Sequence, residues 1–306
     1  MEYAPDPASR PTPSPFDSFA GRVLVLPVVS HGNVGQLALD LVINTARFDR
    51  VGFLDHPALL PCLGVGAYDT AGTQLALGME VYAGGDDFVS GASGVVLVQQ
   101  RSEAVLGAQA AFAEATAEWI KAAGFERVVV AASMPSTAAK APGQIGGTRF
   151  RHVSVGCASP EDADEKKTKA KALSDLVERC ERAGVSALEP EMMPEGAGVV
   201  EGGEAEAGKD GEEGGAPVHH AMLPPWSLLR ACRAVGVDAT CLLAICSEGD
   251  NSADAAGMAN AVAAGLQLTP RAAGEGDGGK RIGAWAVPPS WAAAYGYQPL
   301  NRAMFT

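Results

Sequence analysis

Apolar residues in this chain gather in a few continuous runs, with periodic segments between them. "RVLVLPVVS" (22–30), "GVVLVQQRS" (94–102), "ERVVVAAS" (126–133) and "ATCLLAICS" (239–247) are dominated by aliphatic residues and do not alternate with polar ones. Runs of this kind predict strands covered on both faces. Pro27 falls inside the first and predicts an edge or bulge position there, because proline lacks the N–H a central ladder needs. "RVGFLD" (50–55) predicts a shorter strand, "TQLALGMEVYA" (73–83) an alternating one, and "RFRHVSVG" (149–156) another.

Between these runs the period changes from strand to helix. Val34, Leu37, Leu41 and Val42 form one helical stripe, and Leu106, Phe112, Trp119 and Ile120 form another on a helix that stops at Gly124. "PEDADEKKTKAKALSDLVERCERAG" (160–184) predicts a helix that starts charged and ends amphipathic. Further helices are predicted near 222–234 and after "EGDNSADA" (248–255). The alternation of strand and helix predicts an α/β fold, a parallel-rich central sheet flanked by helices.

Three stretches carry no such pattern. The Pro- and Ser-rich residues 1–20 predict a disordered lead, and residues 196–217, glycine-rich and acidic, predict a disordered insertion. "RAAGEGDGGKR" (271–281) predicts a flexible hairpin. The strands on either side of the acidic stretch are expected to share one sheet, giving a single domain over 21–306 with a C-terminal tail at 296–306.

Composition narrows the partners. With 306 residues, 47% of them hydrophobic, the chain is long enough for a buried core. A net charge of −13 without a dense basic stripe argues against nucleic acid. No run approaches the roughly 18 apolar residues of a membrane span, so a cytoplasmic and nuclear location is expected. Cys62, Cys157, Cys180, Cys232, Cys241 and Cys246 form no C-x-x-C pair, and His31, His56, His152, His219 and His220 do not sit at ligand spacing beside them. Reduced, buried thiols are the expectation, with no metal and no cofactor.

Two segments invite a chemical reading. "SHGNVGQ" (30–36) takes a strand through a glycine turn into a helix N-terminus, an arrangement that cradles phosphate elsewhere. Its glycines do not match either nucleotide-binding spacing, so a structural turn with close strand–helix packing is the preferred reading. "SEGDNSADA" (247–255) places Glu248, Asp250 and Asp254 at the end of a buried strand. An acid–base pair is one reading, and helix-capping Asp, Asn and Ser residues are the preferred other.

The same segments carry a family likeness. "LVLPVVSHGNVGQLALDLVINTARFDRVGFLD" with "VGAYDT", and later "CSEGDNSADA" and "WAVPPSW", resemble the proteasome assembly chaperone 2 family over about 20–55, 63–130 and 237–306. The most specific residues are Gly32, Asn33, Gly35 and Gln36, supported by Glu248, Gly249, Asp250 and Asn251, all expected to be structural. The resemblance implies a nucleoside-phosphorylase-like fold and no enzymatic activity. It further implies a heterodimer with proteasome assembly chaperone 1, and binding to the α-subunits of the 20S core particle that promotes α-ring assembly and prevents misassembly. It also implies a docking tail at Met304, Phe305 and Thr306, with Phe305 where the family pattern has tyrosine. The alternatives are a nucleoside- or phosphate-binding enzyme on the same fold, or a homo-oligomeric binding module.

Overall fold

The four continuous apolar runs lie side by side. The computed structural model describes residues 1–7, 19–69, 74–84, 94–156, 163–194, 224–269 and 280–291. In chain order the strands are β1 (Glu2–Pro5), β2 (Val23–Pro27), β3 (Phe48–Asp55), β4 (Leu63–Val65), β5 (Leu75–Leu77), β6 (Met79–Gly84) and β7 (Val95–Gln100). They continue with β8 (Arg127–Pro135), β9 (Phe150–Val155), β10 (Ser186–Ala187), β11 (Ala239–Cys246), β12 (Arg281–Ile282) and β13 (Trp285–Ala286). The main helices are α1 (Val34–Ala46), α2 (Gln109–Ala122), α3 (Ala163–Arg182), α4 (Trp226–Val235) and α5 (Ser252–Leu266).

One nine-stranded sheet has the order β1-β3-β6-β7-β2-β8-β11-β9-β10. Its centre, β7-β2-β8-β11, is parallel throughout. Antiparallel strands extend it on both sides, through β6, β3 and β1 on one and through β9 on the other, with β10 parallel to β9. Strand β11, which follows the acidic stretch in sequence, pairs with both β8 and β9, which precede it.

Each central strand feeds two cores, as its uninterrupted apolar sequence requires. Leu24, Leu26, Val128 and Val130 face α2 and α4, in a core with Phe112, Trp119, Ile120 and Leu229. Their neighbours Val25, Val129 and Ala131 face the other way, into a core with Leu39, Leu41 and Val42 of α1, Met258 and Val262 of α5, and Leu176 of α3. Leu39 and Leu41 have no exposed surface, and burial of a leucine contributes roughly 1.5–3 kcal/mol. The stripe of small residues in α5 lets it lie close to its neighbours.

Several elements depart from the sequence pattern. Pro27 ends β2 inside the sheet rather than marking an edge; it is the last paired residue, opposite Ala131. Leu106 lies in the turn ahead of α2 and is 81% exposed, so it is not part of the helical stripe. The segment 73–83 is not one strand. It divides at Gly78, where a side chain would press on Ser102 and Leu59, so that β5 joins a separate hairpin with β4 while β6 enters the main sheet.

Within the lead at 1–20 the expectation of disorder does not hold for the first residues, because Glu2–Pro5 form an edge strand on β3; residues 8–18 lie outside the described residues. Tyr3 donates its hydroxyl to Val51 O (3.0 Å), Asp6 pairs with Arg50 (2.8 Å), and Phe19 is buried against Tyr3, Trp119 and Phe125. The acidic insertion at 196–217, most of the segment 271–281 and the tail at 296–306 lie outside the described residues.

Candidate functional site

Both sequence motifs sit where central strands stop. After β2 the chain passes through Ser30 into a short turn at His31–Asn33 and then α1; after β11 it turns through Glu248–Asp250 into α5. Gly32 (φ 67°) and Asn33 (φ 54°) are left-handed, a conformation glycine takes without strain. A side chain at Gly32 would overlap Asn251, whose Nδ2 donates to Gly32 O at 3.2 Å. At Gly35 a side chain would overlap the carbonyl of Ala131, so α1 lies directly on β8 there.

The remaining polar groups at this junction are directed mainly at backbone. Gln36 O accepts from Gln99 Nε2 (2.8 Å), and the Gln36 amide donates to Asn33 Oδ1 (3.4 Å). Ser133 Oγ and Cys246 Sγ both donate to His31 O, the latter at 3.4 Å, and Ser133 N–H donates to Ser30 Oγ at 3.0 Å. Asp250 Oδ1 accepts the Ser252 N–H (3.0 Å) at the start of α5, and the Ser252 hydroxyl together with that N–H holds its carboxyl below the usual range. Asp254 faces Arg149 at 3.4 Å, and Glu248 and Gly249 are exposed in the turn. The chain thus brings the two motifs together as a lock between α1, α5 and the sheet, with Asn251 filling the space beside Gly32.

A second polar assembly was not foreseen from sequence. Arg101 contacts Asp40 (3.2 Å) and Glu80 (3.0 Å), and Arg50 contacts Glu80 and Asp6 (both 2.8 Å). Glu80 is 1% exposed. Tyr68, Gln99 and Trp291 all donate to Asp40, at 2.6, 2.6 and 3.3 Å, and Tyr82 donates to Glu80 at 3.1 Å. Burial, reinforced by the Asp40 and Glu80 carboxylates, raises the Tyr68 and Tyr82 hydroxyls far above their ordinary range. Burial alone would lower the Arg101 guanidinium, but Asp40 beside it raises it. Charges buried and saturated in this way link the start of the chain, α1, three strands and Trp291. The only available signal in the sequence was charged residues inside or beside otherwise apolar strands.

The surface feature of most interest lies next to this assembly. In the β4–β5 hairpin Leu63 pairs with Leu77 and Val65 with Leu75, which puts all four on one face. They are 69%, 36%, 65% and 58% exposed, while Ala76 on the opposite face is buried. Arg50 Nη1 donates to Leu75 O (2.7 Å), anchoring the hairpin to the buried charges. Leu60 and Val105, on segments joined by Leu60 N–H to Glu103 O (3.0 Å) and Val105 N–H to Ala58 O (2.7 Å), add further part-exposed aliphatics. An aliphatic face held by a rigid base suits protein docking.

Among the described residues no group of three or more His, Cys, Asp or Glu is placed to hold a metal ion, and no helix is long and apolar enough to cross a membrane. Met304, Phe305 and Thr306 lie outside the described residues.

Comparison with known proteins places these features in context. A sequence model described as the PAC2 family matches residues 24–192, including the stretch from 135 onward where the motif likeness is faint. The chain is 28% identical over 284 residues to proteasome assembly chaperone 2 of Danio rerio, covering 91% of this chain and 93% of the relative. Its counterpart in Xenopus tropicalis is 26% identical over 289 residues, covering 94% and 96%. Among solved structures, PbaB of Pyrococcus furiosus, described as an archaeal proteasome activator, shares the fold with a TM-score of 0.52 at 14% identity, over 88% of this chain and 90% of that one.

Proposed function

This chain belongs to the PAC2 family, and on that premise we propose that it is a non-enzymatic proteasome assembly chaperone. In this reading it pairs with proteasome assembly chaperone 1, and the pair holds 20S α-subunits, promoting α-ring assembly and preventing misassembly. Similarity to vertebrate proteasome assembly chaperone 2 over nearly the whole chain supports the role. The motif residues support it too, because Asn251 and Asp250 bond backbone and the Gln36 amide donates to Asn33 within the same motif, which holds the fold together.

One observation carries the pairing: the exposed aliphatic face of Leu63, Val65, Leu75 and Leu77. Permanent subunit interfaces are more apolar than transient ones, so a patch of four aliphatics without a charge suits a constant partner better than a client that must be released. We assign this face to the partner subunit. Met304, Phe305 and Thr306 are assigned to the α-subunits.

The experiment is co-expression with proteasome assembly chaperone 1 and co-purification. Leu63→Ser with Leu75→Ser should leave the thermal midpoint nearly unchanged, since both side chains are already in water. It should weaken pairing by roughly 30-fold or more, because the exposed parts of the two leucines amount to about 2–4 kcal/mol of burial. Pairing at wild-type strength would overturn the assignment of this face.

A further inference from the structure

On the α2–α4 side of the sheet, bordered at one end by Ser30, His31 and Ser133 of the α1–α5 lock, there is a cavity of about 780 Å³. Its inner wall includes Met79, Phe112, Met134, Met192 and Trp226, all buried. Its rim carries Glu103, Lys140 and Glu191, all exposed. Open to solvent at this rim and apolar within, the pocket has a volume in the range that encloses small organic ligands.

We propose that this cavity is a binding site for an uncharged, ring-containing lipophilic molecule. The inference is independent of the chaperone reading. Three features of the lining select the ligand. Thioethers of Met79, Met134 and Met192 beside the rings of Phe112 and Trp226 make favourable contacts with an aromatic body. Polar groups along the wall are largely engaged already: Thr116 Oγ1 donates to Phe112 O (2.7 Å), Gln100 Nε2 to Ser102 O (2.8 Å) and Ser133 Oγ to His31 O. The Ser227 hydroxyl, buried at the start of α4, has no hydrogen-bond partner, and the His31 ring also lines the wall, so the site offers the ligand a small number of polar contacts within a mainly apolar lining. At the rim two carboxylates face one ammonium on a chain of net charge −13, which repels anions.

Two fluorescent probes with the same rings and different charge test this on the full-length chain. N-phenyl-1-naphthylamine is uncharged, and 8-anilinonaphthalene-1-sulfonate is its anionic relative. The uncharged probe should bind saturably at one site, and the sulfonate roughly ten-fold more weakly at low salt. Glu103→Gln with Glu191→Gln should narrow that gap. Ala138→Trp and, separately, Ala104→Phe fill the cavity from half-buried positions and should each weaken the uncharged probe at least ten-fold with the thermal midpoint retained. Leu63→Ser with Leu75→Ser, on the exposed hairpin, should leave its binding unchanged. Absence of saturable binding to the wild-type chain, equal binding of the two probes, or loss of binding in the hairpin variant but not in the filling variants would overturn the proposal.

Discussion

The Asn251 side chain donates to the backbone carbonyl of Gly32, 219 positions earlier in the chain, at 3.2 Å. Asn251 is 4% exposed, and the space beside it is open only because Gly32 has no side chain. One buried amide therefore fastens the turn before α1 to the turn before α5. Asn251→Ala leaves the Gly32 carbonyl without this donor and should lower stability by about 1–3 kcal/mol. Gly32→Ala should cost at least as much, through both the left-handed backbone and the overlap. Urea unfolding midpoints of the two single variants and the double variant measure this; strictly additive losses would show that the two positions are not one contact.

Arg101 sits between Asp40 and Glu80. Arg101→Met leaves both buried carboxylates without that partner and should destabilise by roughly 3–5 kcal/mol. Replacing Arg101, Asp40 and Glu80 together with apolar residues should be far milder than the single change. Thermal or denaturant unfolding of both variants distinguishes a charge left alone from a network lost whole.

Glu189 accepts from the buried Arg151 at 2.9 Å, which holds its carboxyl below the ordinary value. A carboxylate with a lowered folded pKa contributes stability above its unfolded pKa of about 4.3 and loses it as pH falls through the folded value. The wild-type chain should therefore lose stability between about pH 5 and pH 3 more steeply than Glu189→Gln. Asp250 acts in the same direction at the start of α5. Denaturation midpoints taken across that range check the sign: parallel curves for wild type and Glu189→Gln would exclude the contribution.

Removal of Met304, Phe305 and Thr306 should weaken co-purification with 20S α-subunits while leaving the pair with proteasome assembly chaperone 1 intact. Phe305→Tyr should strengthen α-subunit binding by the value of one hydrogen bond, about 0.5–1.5 kcal/mol. Pull-down of α-subunits by wild-type and altered pairs is the measurement. Unchanged recovery after the deletion would remove the tail from the docking surface.

How much of this was legible in sequence follows from what each residue depends on. Strands β2, β7, β8 and β11 were readable because burial on both faces leaves an uninterrupted apolar run. Their adjacency at the centre of the sheet is the same fact in three dimensions. Strand β1 was not readable: four residues with one aromatic among prolines carry no periodicity, and its place is set by contacts to Val51 and Arg50 far along the chain. The 73–83 segment alternates correctly for a strand, yet it divides at Gly78 between two sheets, which a period-two pattern cannot encode. At the site, the glycines of the first motif were visible as local chemistry, and of the expected caps only Asp250 bonds an N–H at the start of α5, while Asn251 sits at the cap position without a side-chain cap bond. That Asn251 meets Gly32 was not, since the contact is made by the fold. The exposed face of the β4–β5 hairpin was hidden for a related reason: leucine and valine in a short strand read as core until the structure shows how much of each stays exposed.

Strand β8 lies between β2 and β11, and those two neighbours are translated at very different times. When Arg127–Pro135 emerge from the ribosome, β2 is already waiting, but β11 is encoded beyond α3 and the whole acidic stretch. Until that later portion appears, the nascent polypeptide carries a half-finished ladder of valines open to any passing strand. Synthesis itself thus creates an interval of vulnerability, in which an unpaired strand edge stays exposed until the C-terminal half arrives.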